Sequence, residues 1–230
     1  MCGVLVLWDI DQTLLEVGTT TRSAYAAAFR TVAGRELEQR WRFDGRTELA
    51  AATEVLGDHG LDPAAGLLER FLERLVVEYE TRAAELAATG RVLAGATEAL
   101  AAVGAVANQS VLTGNLYRLA VLKMTVFGLA DHVDFRIGAY GEDAYERTDL
   151  PAFALARAAE HLGLQLTGTD VAVIGDTGRD IAAGRAIGAR TIGVATGYTS
   201  ADALGAAGAD AVLPDLTDTG ALLSALTPPR

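Results

Sequence analysis

The sequence predicts an α/β protein with a Rossmann-like, mainly parallel sheet that carries helices on both faces, plus a small all-helical unit. Two observations support this prediction. From residue 92 onward, short apolar runs rich in β-branched residues alternate with segments of helical periodicity, which is typical of a parallel sheet. Between residues 16 and 88, helical periodicity replaces the strands. We therefore predict a core domain of residues 1–15 and 89–230 and a helical domain of residues 16–88.

The first predicted strand covers residues 4–8 and is followed by Asp9 and Asp11. Side chains two positions apart on an extended chain face the same way, so both carboxylates should project from the carboxyl edge of the sheet. Two carboxylates about 4 Å apart repel by roughly 4 kcal/mol at an effective dielectric near 20. Such a pair needs a cation, a shared proton or both, and hard oxygen ligands favour Mg²⁺. A plain loop or helix cap is the alternative at this point.

The helical domain should contain at least three helices. One is predicted over residues 23–32, and another begins near Thr47 after a turn. The third covers residues 66–85, where apolar side chains recur at helical spacing and charged side chains fill the other face. These patterns predict helices with one buried and one solvated face.

The remainder of the core is predicted to alternate strands and helices. The predicted strands are 110–112, 134–137, 171–174, 190–194 and 211–213, and the predicted helices are 94–102, 116–127, 151–162, 179–187, one near 201, and 219–226.

Two of these strands run into further polar residues. Thr113, Gly114 and Asn115 stand at the entrance to a helix, where free N–H groups and the helix dipole favour phosphate. An ordinary helix cap would explain them equally. Asp176 and Asp180 lie four apart across a strand-to-helix turn and could meet one ion. Alternatively, Asp180 is a first-turn acid that complements the helix dipole.

Composition limits the partners of the protein. With 30 acidic and 19 basic residues the net charge is −11, which argues against a nucleic-acid or anionic-membrane surface. Cys2 is the single cysteine, so there is no intrachain disulfide and a reducing cytoplasm is the expected location. We find neither a signal peptide nor an apolar run approaching the ~20 residues of a membrane span. The oligomeric state stays open.

The three strand ends in order, at residues 9–13, 113–115 and 175–180, resemble the motifs of the haloacid dehalogenase superfamily of phosphohydrolases. A helical insert directly after the first motif resembles that superfamily's first type of cap domain. Within the superfamily, the chain is most similar to phosphoglycolate-phosphatase-like members. The resemblance implies hydrolysis of a small phosphorylated metabolite with Mg²⁺ as cofactor.

The resemblance also implies roles for the acidic residues. Asp9 would be the nucleophile that forms an aspartyl-phosphate. Asp11 would be the general acid and base, protonating the leaving alcohol and then activating water. Mg²⁺ would be held by Asp9, the backbone carbonyl of Asp11 and Asp176, with Asp180 supporting.

The phosphate would be bound by Thr113, Gly114 and Asn115, with Thr113 also part of the catalytic machinery. The family places a cation, usually lysine, in a loop before the last motif. Lys123 is the only lysine and lies within a predicted helix, so we expect it to be a solvated surface charge. Arg147, six residues before Phe153, is instead the candidate for the catalytic, phosphate-binding cation. Arginine keeps the charge but is bulkier than lysine.

Two further residues follow from the resemblance. Gln12 occupies a position where many relatives have glycine, which suggests a turn that does not need a positive φ. The cap must choose the substrate, and the segment 44–47 resembles the specificity segment of related caps. Arg46 could therefore meet a carboxylate or a second anionic group.

Three alternatives stay open. A haloacid dehalogenase would use the same nucleophile, but it has no need for the protonating carboxyl of Asp11. A β-phosphoglucomutase-like phosphomutase would use the same core residues, and product analysis would separate it from a hydrolase. A non-catalytic phosphate- or partner-binding module is disfavoured by the complete acidic motifs.

Overall fold

The computed structural model describes residues 4–38, 45–64 and 66–227. Cys2 and Asp44, the first residue of the predicted specificity segment, lie outside the described residues. The strands are β1 (Leu5–Trp8), β2 (Leu15–Glu16), β3 (Arg91–Val92), β4 (Asn108–Val111), β5 (Val171–Gly175), β6 (Arg190–Val194) and β7 (Ala211–Leu213). The helices are α1 (Thr20–Ala33), α2 (Glu48–Asp58), α3 (Leu67–Thr81), α4 (Ala83–Thr89), α5 (Ala96–Gly104), α6 (Tyr117–Val126), α7 (Leu150–Leu162), α8 (Gly178–Ala186), α9 (Ala201–Ala206) and α10 (Thr219–Leu226).

Five strands form the main sheet in the order β4-β1-β5-β6-β7, and every neighbouring pair is parallel. Trp8, the last residue of β1, pairs with Val111 of β4 and with Ile174 of β5. The carboxyl ends of these three strands therefore meet at one edge of the sheet. This confirms the predicted parallel α/β class.

Helices cover both faces of the sheet, as predicted. The side chains of Val6 and Trp8 belong to one apolar cluster with residues of α5, α6 and α10. The side chains of Leu5 and Leu7 belong to another with residues of α7 and α8. All four are fully buried, which explains why this strand is an unbroken apolar run rather than an alternating one.

The short strands β2 and β3 pair antiparallel, with Leu15 opposite Val92. They carry the chain out of the core and back again. Between them lie α1, α2, α3 and α4, which we call the helical insert. Tyr25, Phe29 and Phe71 are fully buried in an apolar cluster that gathers α1, α2 and α3. The domain boundaries at residues 16 and 88 stay a prediction.

Helix α6 takes part in both apolar clusters. Leu116, its N-cap, and Leu119 pack in the cluster of the helical insert. Ala120 and Met124 pack in the cluster on the sheet. The insert therefore rests on a helix that the core supplies.

The predicted strand at residues 134–137 was wrong. Phe135–Ile137 is a turn of 3₁₀-helix, and the Asp134 side chain accepts a hydrogen bond from the Arg136 backbone N–H at 3.0 Å. An aspartate that satisfies a nearby backbone donor in this way favours a turn over a strand.

The predicted helix over residues 66–85 is interrupted. Helix α3 ends at Thr81 and α4 begins at Ala83, with Arg82 between them at φ −104° and ψ 15°. The Arg82 backbone N–H bonds to the carbonyl of Tyr79 instead of that of Glu78. The Arg82 side chain takes over the Glu78 carbonyl at 2.9 Å, so the break leaves no unsatisfied acceptor there.

Candidate active site

The carboxyl edge of the sheet brings the three predicted motifs together. Asp9 follows β1, Thr113 follows β4 and Asp176 follows β5. Hydrogen bonds continue the strand pairing beyond the strand ends. The Asp9 backbone N–H donates to the Ile174 carbonyl at 2.8 Å, and the Leu112 N–H donates to the Trp8 carbonyl at 2.8 Å. The three motifs therefore hold a fixed register.

Asp9, Asp176 and Asp180 form a buried acidic cluster, with one carboxylate oxygen of each within 4.8 Å of the others. The Thr177 backbone N–H and hydroxyl donate to one oxygen of Asp180, at 2.9 and 2.6 Å. Arg147 donates to the other. Asp180 thus caps the start of α8 and also faces the cluster, so the capping interpretation is confirmed and the metal-site interpretation stays a prediction. Its oxygens are engaged by the protein, which suits a supporting rather than a direct ligand.

The other two carboxylates have more freedom. The Thr13 hydroxyl makes long contacts of 3.5 Å to Asp9 Oδ2 and 3.3 Å to Asp176 Oδ1. Burial raises the pKa of Asp9 to about 7 and that of Asp176 to about 8, and the neighbouring acids add to the effect. Two hard oxygen donors that are costly to ionise without a counter-charge fit a divalent cation such as Mg²⁺.

Arg147 supplies one positive charge to this cluster. Its side chain is 4% exposed, and Nη2 donates to Asp9 Oδ1 at 2.6 Å and to the Leu112 carbonyl at 3.1 Å. Burial opposes the charge, but Asp180 and Asp9 raise the pKa of Arg147 above its ordinary value. Nη1 donates to the Gly45 carbonyl of the helical insert at 3.2 Å. The candidate cation therefore lies beside Asp9 and also touches the insert.

Asp11 is turned away from the acidic cluster. The chain bends after Ile10, and the Asp11 carboxylate accepts a hydrogen bond from Asn115 Nδ2 at 2.7 Å. It also pairs with Lys123, whose Nζ lies 2.9 and 2.7 Å from the two carboxylate oxygens. The prediction that the two carboxylates project together from one face was therefore wrong. Asp9 pairs with Arg147, and Asp11 pairs with Lys123.

The expectation that Lys123 is a solvated surface charge was wrong. Its side chain is 2% exposed, and Nζ also donates to Asn115 Oδ1 at 2.6 Å. Burial opposes the charge, but Asp11 and then Tyr79 raise the pKa of Lys123 above its ordinary value. The Tyr79 ring of α3 lies 5.3 Å from Nζ, within the range of a cation–π contact.

Glu48, at the start of α2, extends this polar group into the insert. It is buried and accepts a hydrogen bond from the Tyr25 hydroxyl. Burial raises the pKa of Glu48 to about 7, although Tyr25 and Lys123 oppose the shift. We call Asp11, Lys123, Tyr79, Glu48 and Tyr25 the seam cluster, because it joins the core to the helical insert.

Thr113 and Asn115 lie beside Asp11. The Thr113 side chain is fully buried, and its hydroxyl oxygen accepts from the Asn115 backbone N–H at 3.2 Å and from Asn115 Nδ2 at 2.8 Å. The hydroxyl hydrogen of Thr113 is left to donate elsewhere. The two side chains therefore brace each other at the entrance to α6.

Gly114 is a point of contact with the helical insert. Its carbonyl accepts from the Glu48 backbone N–H at 2.8 Å. A Cβ at Gly114 would lie 1.9 Å from the Arg46 carbonyl oxygen, so only glycine lets the two backbones approach this closely. The insert is thus seated directly on the predicted phosphate-binding motif.

The segment 45–48 crosses the site. Gly45 has a φ of 66°, and a Cβ there would lie 2.7 Å from the Thr177 hydroxyl oxygen. The Thr47 hydroxyl donates to the Tyr145 carbonyl at 2.7 Å and accepts from the Ala50 N–H at 3.2 Å as the cap of α2. The described part of the predicted specificity segment therefore covers the strand ends.

Arg46 lines a cavity of about 230 Å³ together with Arg147 and Arg179. The Arg46 guanidinium forms an ion pair with Glu54, which lines the same cavity. The cavity lies between the insert and α8, on the Arg147 side of the acidic cluster. Arg46 thus lines the cavity while it is paired with Glu54, and its contact with a second anionic group stays a prediction.

The expectation for Gln12 was wrong, since its φ is 66°. The Gln12 N–H donates to the Leu15 carbonyl at 2.7 Å, and its own carbonyl accepts from the Thr196 hydroxyl at 2.6 Å. These bonds hold a turn that a non-glycine residue enters at a cost of about 1–2 kcal/mol. The turn sends the chain toward β2 directly after Asp11.

In the part of the chain that the structure describes, no helix has both the length and the apolar character needed to cross a membrane.

Comparisons with known proteins show similarity over part of the sequence. A family model described as HAD-hydrolase-like matches residues 149–219, which include Asp176 and Asp180. Over 95 residues the chain is 35% identical to a phosphoglycolate phosphatase from Chromobacterium violaceum. That alignment covers 41% of this chain and 40% of the relative's length.

Solved structures match over almost the whole chain. A hydrolase from Pseudomonas syringae is 20% identical with a TM-score of 0.69, covering 98% of this chain and 100% of that one. A predicted phosphoglycolate phosphatase from Haemophilus somnus is 17% identical with a TM-score of 0.64, covering 97% and 99%. A putative β-phosphoglucomutase from Bacteroides vulgatus is 18% identical with a TM-score of 0.69, covering 97% and 88%. The chain is thus similar in fold to these proteins over nearly its whole length, and residues 149–219 are similar to the HAD-hydrolase-like family.

Two residues of the candidate site, Lys123 and Glu48, were not expected there from the sequence. Lys123 lies on α6, and the side chains of a helix lean back toward its N-terminal end, which Asn115 precedes. That direction is a usable signal. Glu48 carries no comparable signal, because its burial depends on how the insert docks on Gly114.

Proposed function

We propose that this protein is a Mg²⁺-dependent phosphohydrolase that cleaves a small phosphomonoester through an aspartyl-phosphate on Asp9. The observation that carries the proposal is the Asp9 carboxylate, buried beside Asp176 and bonded to Arg147 at 2.6 Å. The match of residues 149–219 to a HAD-hydrolase-like family model and the similarity to a phosphoglycolate phosphatase support the reaction class. The proposed partner is a small phosphorylated metabolite, and the single cysteine and the acidic charge favour the cytoplasm as its location.

Asp9 would attack phosphorus in the first displacement, so it must be ionised. Arg147 favours the ionised form against the effect of burial. Mg²⁺ would be held by Asp9, Asp176 and the backbone carbonyl of Asp11, and when bound it would neutralise charge on the phosphoryl oxygens. Asp180 would support the site by orienting Arg147.

Asp11 would move the proton. Asp11 would enter the first displacement protonated, and as the bond from phosphorus to the ester oxygen breaks it would donate this proton to the departing alkoxide. In the second, water attacks the aspartyl-phosphate, Asp11 takes a proton from that water, and Asp9 is released. The Asp11 side chain is 33% exposed, so it is accessible to a leaving group while Lys123 and Asn115 hold it from behind.

The phosphoryl group would be bound by Arg147, Thr113, the Gly114 amide and Asn115. Arg147 Nε is buried and has no hydrogen-bond partner among the described residues. A phosphoryl oxygen would provide the acceptor that this donor needs. The Thr113 hydroxyl would donate in the same direction.

The helical insert would act as a cap that selects the ester. It closes over the strand ends through Gly45 and Gly114, and the cavity beside it is small. On substrate binding, the Arg46 guanidinium would leave its ion pair with Glu54 and pair with a carboxylate or second phosphate of the substrate. Phosphoglycolate-like esters, which carry a carboxylate close to the phosphate, fit this arrangement.

The test is phosphate release from a panel of small phosphomonoesters, including phosphoglycolate and sugar phosphates, with Mg²⁺ and with chelator. Asp9→Asn is the matched variant, since it keeps the shape of the side chain. We expect metal-dependent release that the variant loses while its circular dichroism spectrum is unchanged. Conversion of a sugar phosphate to its isomer without phosphate release would point to a mutase. Turnover by Asp9→Asn at the wild-type rate would contradict the mechanism.

A further inference from the structure

We propose that Lys123 is a positioning residue for Asp11, and that docking of the helical insert completes the position. This inference rests on the proposed function, in which Asp11 transfers the proton. Lys123 is absent from the motifs that suggested the active site, yet it makes the closest charged contacts of Asp11. Its Nζ lies 2.9 and 2.7 Å from the two Asp11 oxygens.

Lys123 acts through Asp11 rather than on a substrate. An ammonium group has three N–H donors, and Nζ meets three oxygens, the two of Asp11 and Oδ1 of Asn115 at 2.6 Å. The side chain is 2% exposed. Its donors are therefore already engaged, and solvent or a phosphoester reaches Asp11 and not Lys123.

Asn115 makes the arrangement directional. Its Oδ1 accepts from Lys123, while its Nδ2 donates to Asp11 Oδ2 at 2.7 Å and to the Thr113 hydroxyl oxygen at 2.8 Å. The Asp11 carboxylate is thus held from two sides. Asn115 bonds both Asp11 and Thr113, and Thr113 lies in the proposed phosphate site. The proton donor is therefore held in a fixed position relative to the phosphoryl group.

The helical insert closes the other side of Lys123. The Tyr79 ring of α3 lies 5.3 Å from Nζ, and Glu48 of α2 interacts with its charge. Tyr79 is fully buried and Glu48 is nearly so. An ammonium group removed from water needs such partners. The position of Asp11 therefore depends on Lys123, and the position of Lys123 depends on Tyr79 and Glu48 of the docked insert.

Lys123→Met tests the inference, because methionine fills similar space without the charge. The matched control is Arg118→Met on the same helix, where the side chain is 60% exposed and pairs with Glu80. The readout is kcat/KM for two phosphomonoesters, an alkyl ester and p-nitrophenyl phosphate. The aryl leaving group needs little protonation, whereas the alkoxide needs it strongly.

We expect Lys123→Met to lower kcat/KM for the alkyl ester by about 10²-fold or more, the scale of a misplaced acid. The loss for p-nitrophenyl phosphate should be less than about 10-fold, because its first step barely uses the acid. Arg118→Met should leave both values unchanged. Equal losses for the two esters in Lys123→Met would overturn the inference, since a general structural defect would produce them.

A double-mutant cycle gives the second readout. In an Asp11→Asn background, Lys123→Met should cause no further loss with the alkyl ester, because a residue that acts through Asp11 has nothing left to position. Multiplying losses would overturn the inference. If Lys123→Met fails to fold, Lys123→Gln, which keeps a hydrogen-bonding side chain, is measured in both backgrounds with the same expectations. An inactive wild-type protein would overturn the proposed function and this inference together. An active one with an unaffected Lys123→Met would overturn this inference alone.

Discussion

Arg147 and Asp9 lie 138 positions apart in sequence and are joined by a hydrogen bond of 2.6 Å between Nη2 and Oδ1. The other terminal nitrogen of Arg147 reaches the Gly45 carbonyl at 3.2 Å. Two different nitrogens of the guanidinium make these contacts, whereas a lysine would have to reach both oxygens from one nitrogen. Arginine at this position therefore joins the acidic cluster to the helical insert.

Removing the Arg147 charge should destabilise the protein strongly. Arg147→Met leaves Asp9 and Asp180 as buried acids without their counter-charge, which costs about 3–5 kcal/mol of the free energy of unfolding. Arg147→Lys should fold near normally but lower kcat/KM, because the contact with Gly45 is lost. Chemical unfolding and steady-state kinetics check the two expectations. The control is Arg136→Met, an exposed ion pair expected to cost ~1 kcal/mol or less. Similar losses in Arg136→Met and Arg147→Met would contradict the assigned role.

The pH dependence of stability should report on Glu48. Burial raises its pKa from 4.5 to about 7 in the folded protein, so the unfolded chain releases this proton at lower pH than the folded one. The stabilising contribution of the protonated form is complete below about pH 4.5 and is lost as the pH rises through about 7. Its neighbours are Tyr25, Lys123, Asp11 and Glu142.

Glu48→Gln removes this titration. Relative to wild type, the variant should gain on the order of 3 kcal/mol in free energy of unfolding between about pH 4.5 and pH 8. Urea unfolding at a series of pH values measures the difference. Asp58→Asn, an exposed acid on the same helix, is the control and should show no such trend. A pH-independent difference for Glu48→Gln would rule out the raised pKa.

Magnesium binding should be linked to pH. In the folded protein without metal, burial and the neighbouring acids raise the pKa of Asp9 and of Asp176 well above the ordinary aspartate value, so the free energy of unfolding should fall as the pH rises above the ordinary aspartate range. Metal binding displaces the protons of these two carboxyls. The increase in melting temperature on adding Mg²⁺ should therefore be larger at about pH 9 than at about pH 6. Asp176→Asn should abolish the increase, and an equal increase at both pH values would count against the site.

Gly114 should be intolerant of a side chain. Gly114→Ala places a methyl group 1.9 Å from the Arg46 carbonyl oxygen, so the insert must shift away from the strand ends. We expect kcat/KM to fall by about 10²-fold, the scale of a misplacement of about 1 Å. Gly205→Ala in α9, where a Cβ meets nothing within 4 Å, is the control. Normal kinetics in Gly114→Ala would show that this contact does not matter for turnover.

The sequence predicted the parts of the site that follow from strand ends and from motif order. Asp9, Thr113 and Asp176 lie together because parallel strands end at one edge, and Arg147 was placed by its spacing from Phe153. Gln12 and Lys123 were missed for different reasons. The φ of Gln12 is imposed by bonds to Leu15 and Thr196, which are tertiary.

Lys123 was misjudged because a lone lysine in a helix is usually exposed. Its partner, Asp11, lies 112 positions earlier, a separation at which periodicity carries no information. The prediction of a strand at residues 134–137 was wrong for a local reason, because the Asp134 side chain accepts a hydrogen bond from the Arg136 N–H. The pattern of apolar and polar residues therefore predicts neither a local side-chain cap nor an ion pair between residues far apart in sequence.

Helix α6 has a consequence for how this architecture can be re-engineered. Because Leu116 and Leu119 complete the apolar interior of the insert while Ala120 and Met124 complete that of the sheet, the two units do not exchange as independent modules. A chimaera with a different helical insert would need an insert whose apolar side chains fit Leu116 and Leu119. A variant without the insert would expose these two leucines to water. Transplanting specificity between such proteins requires moving α6 together with the helices it supports.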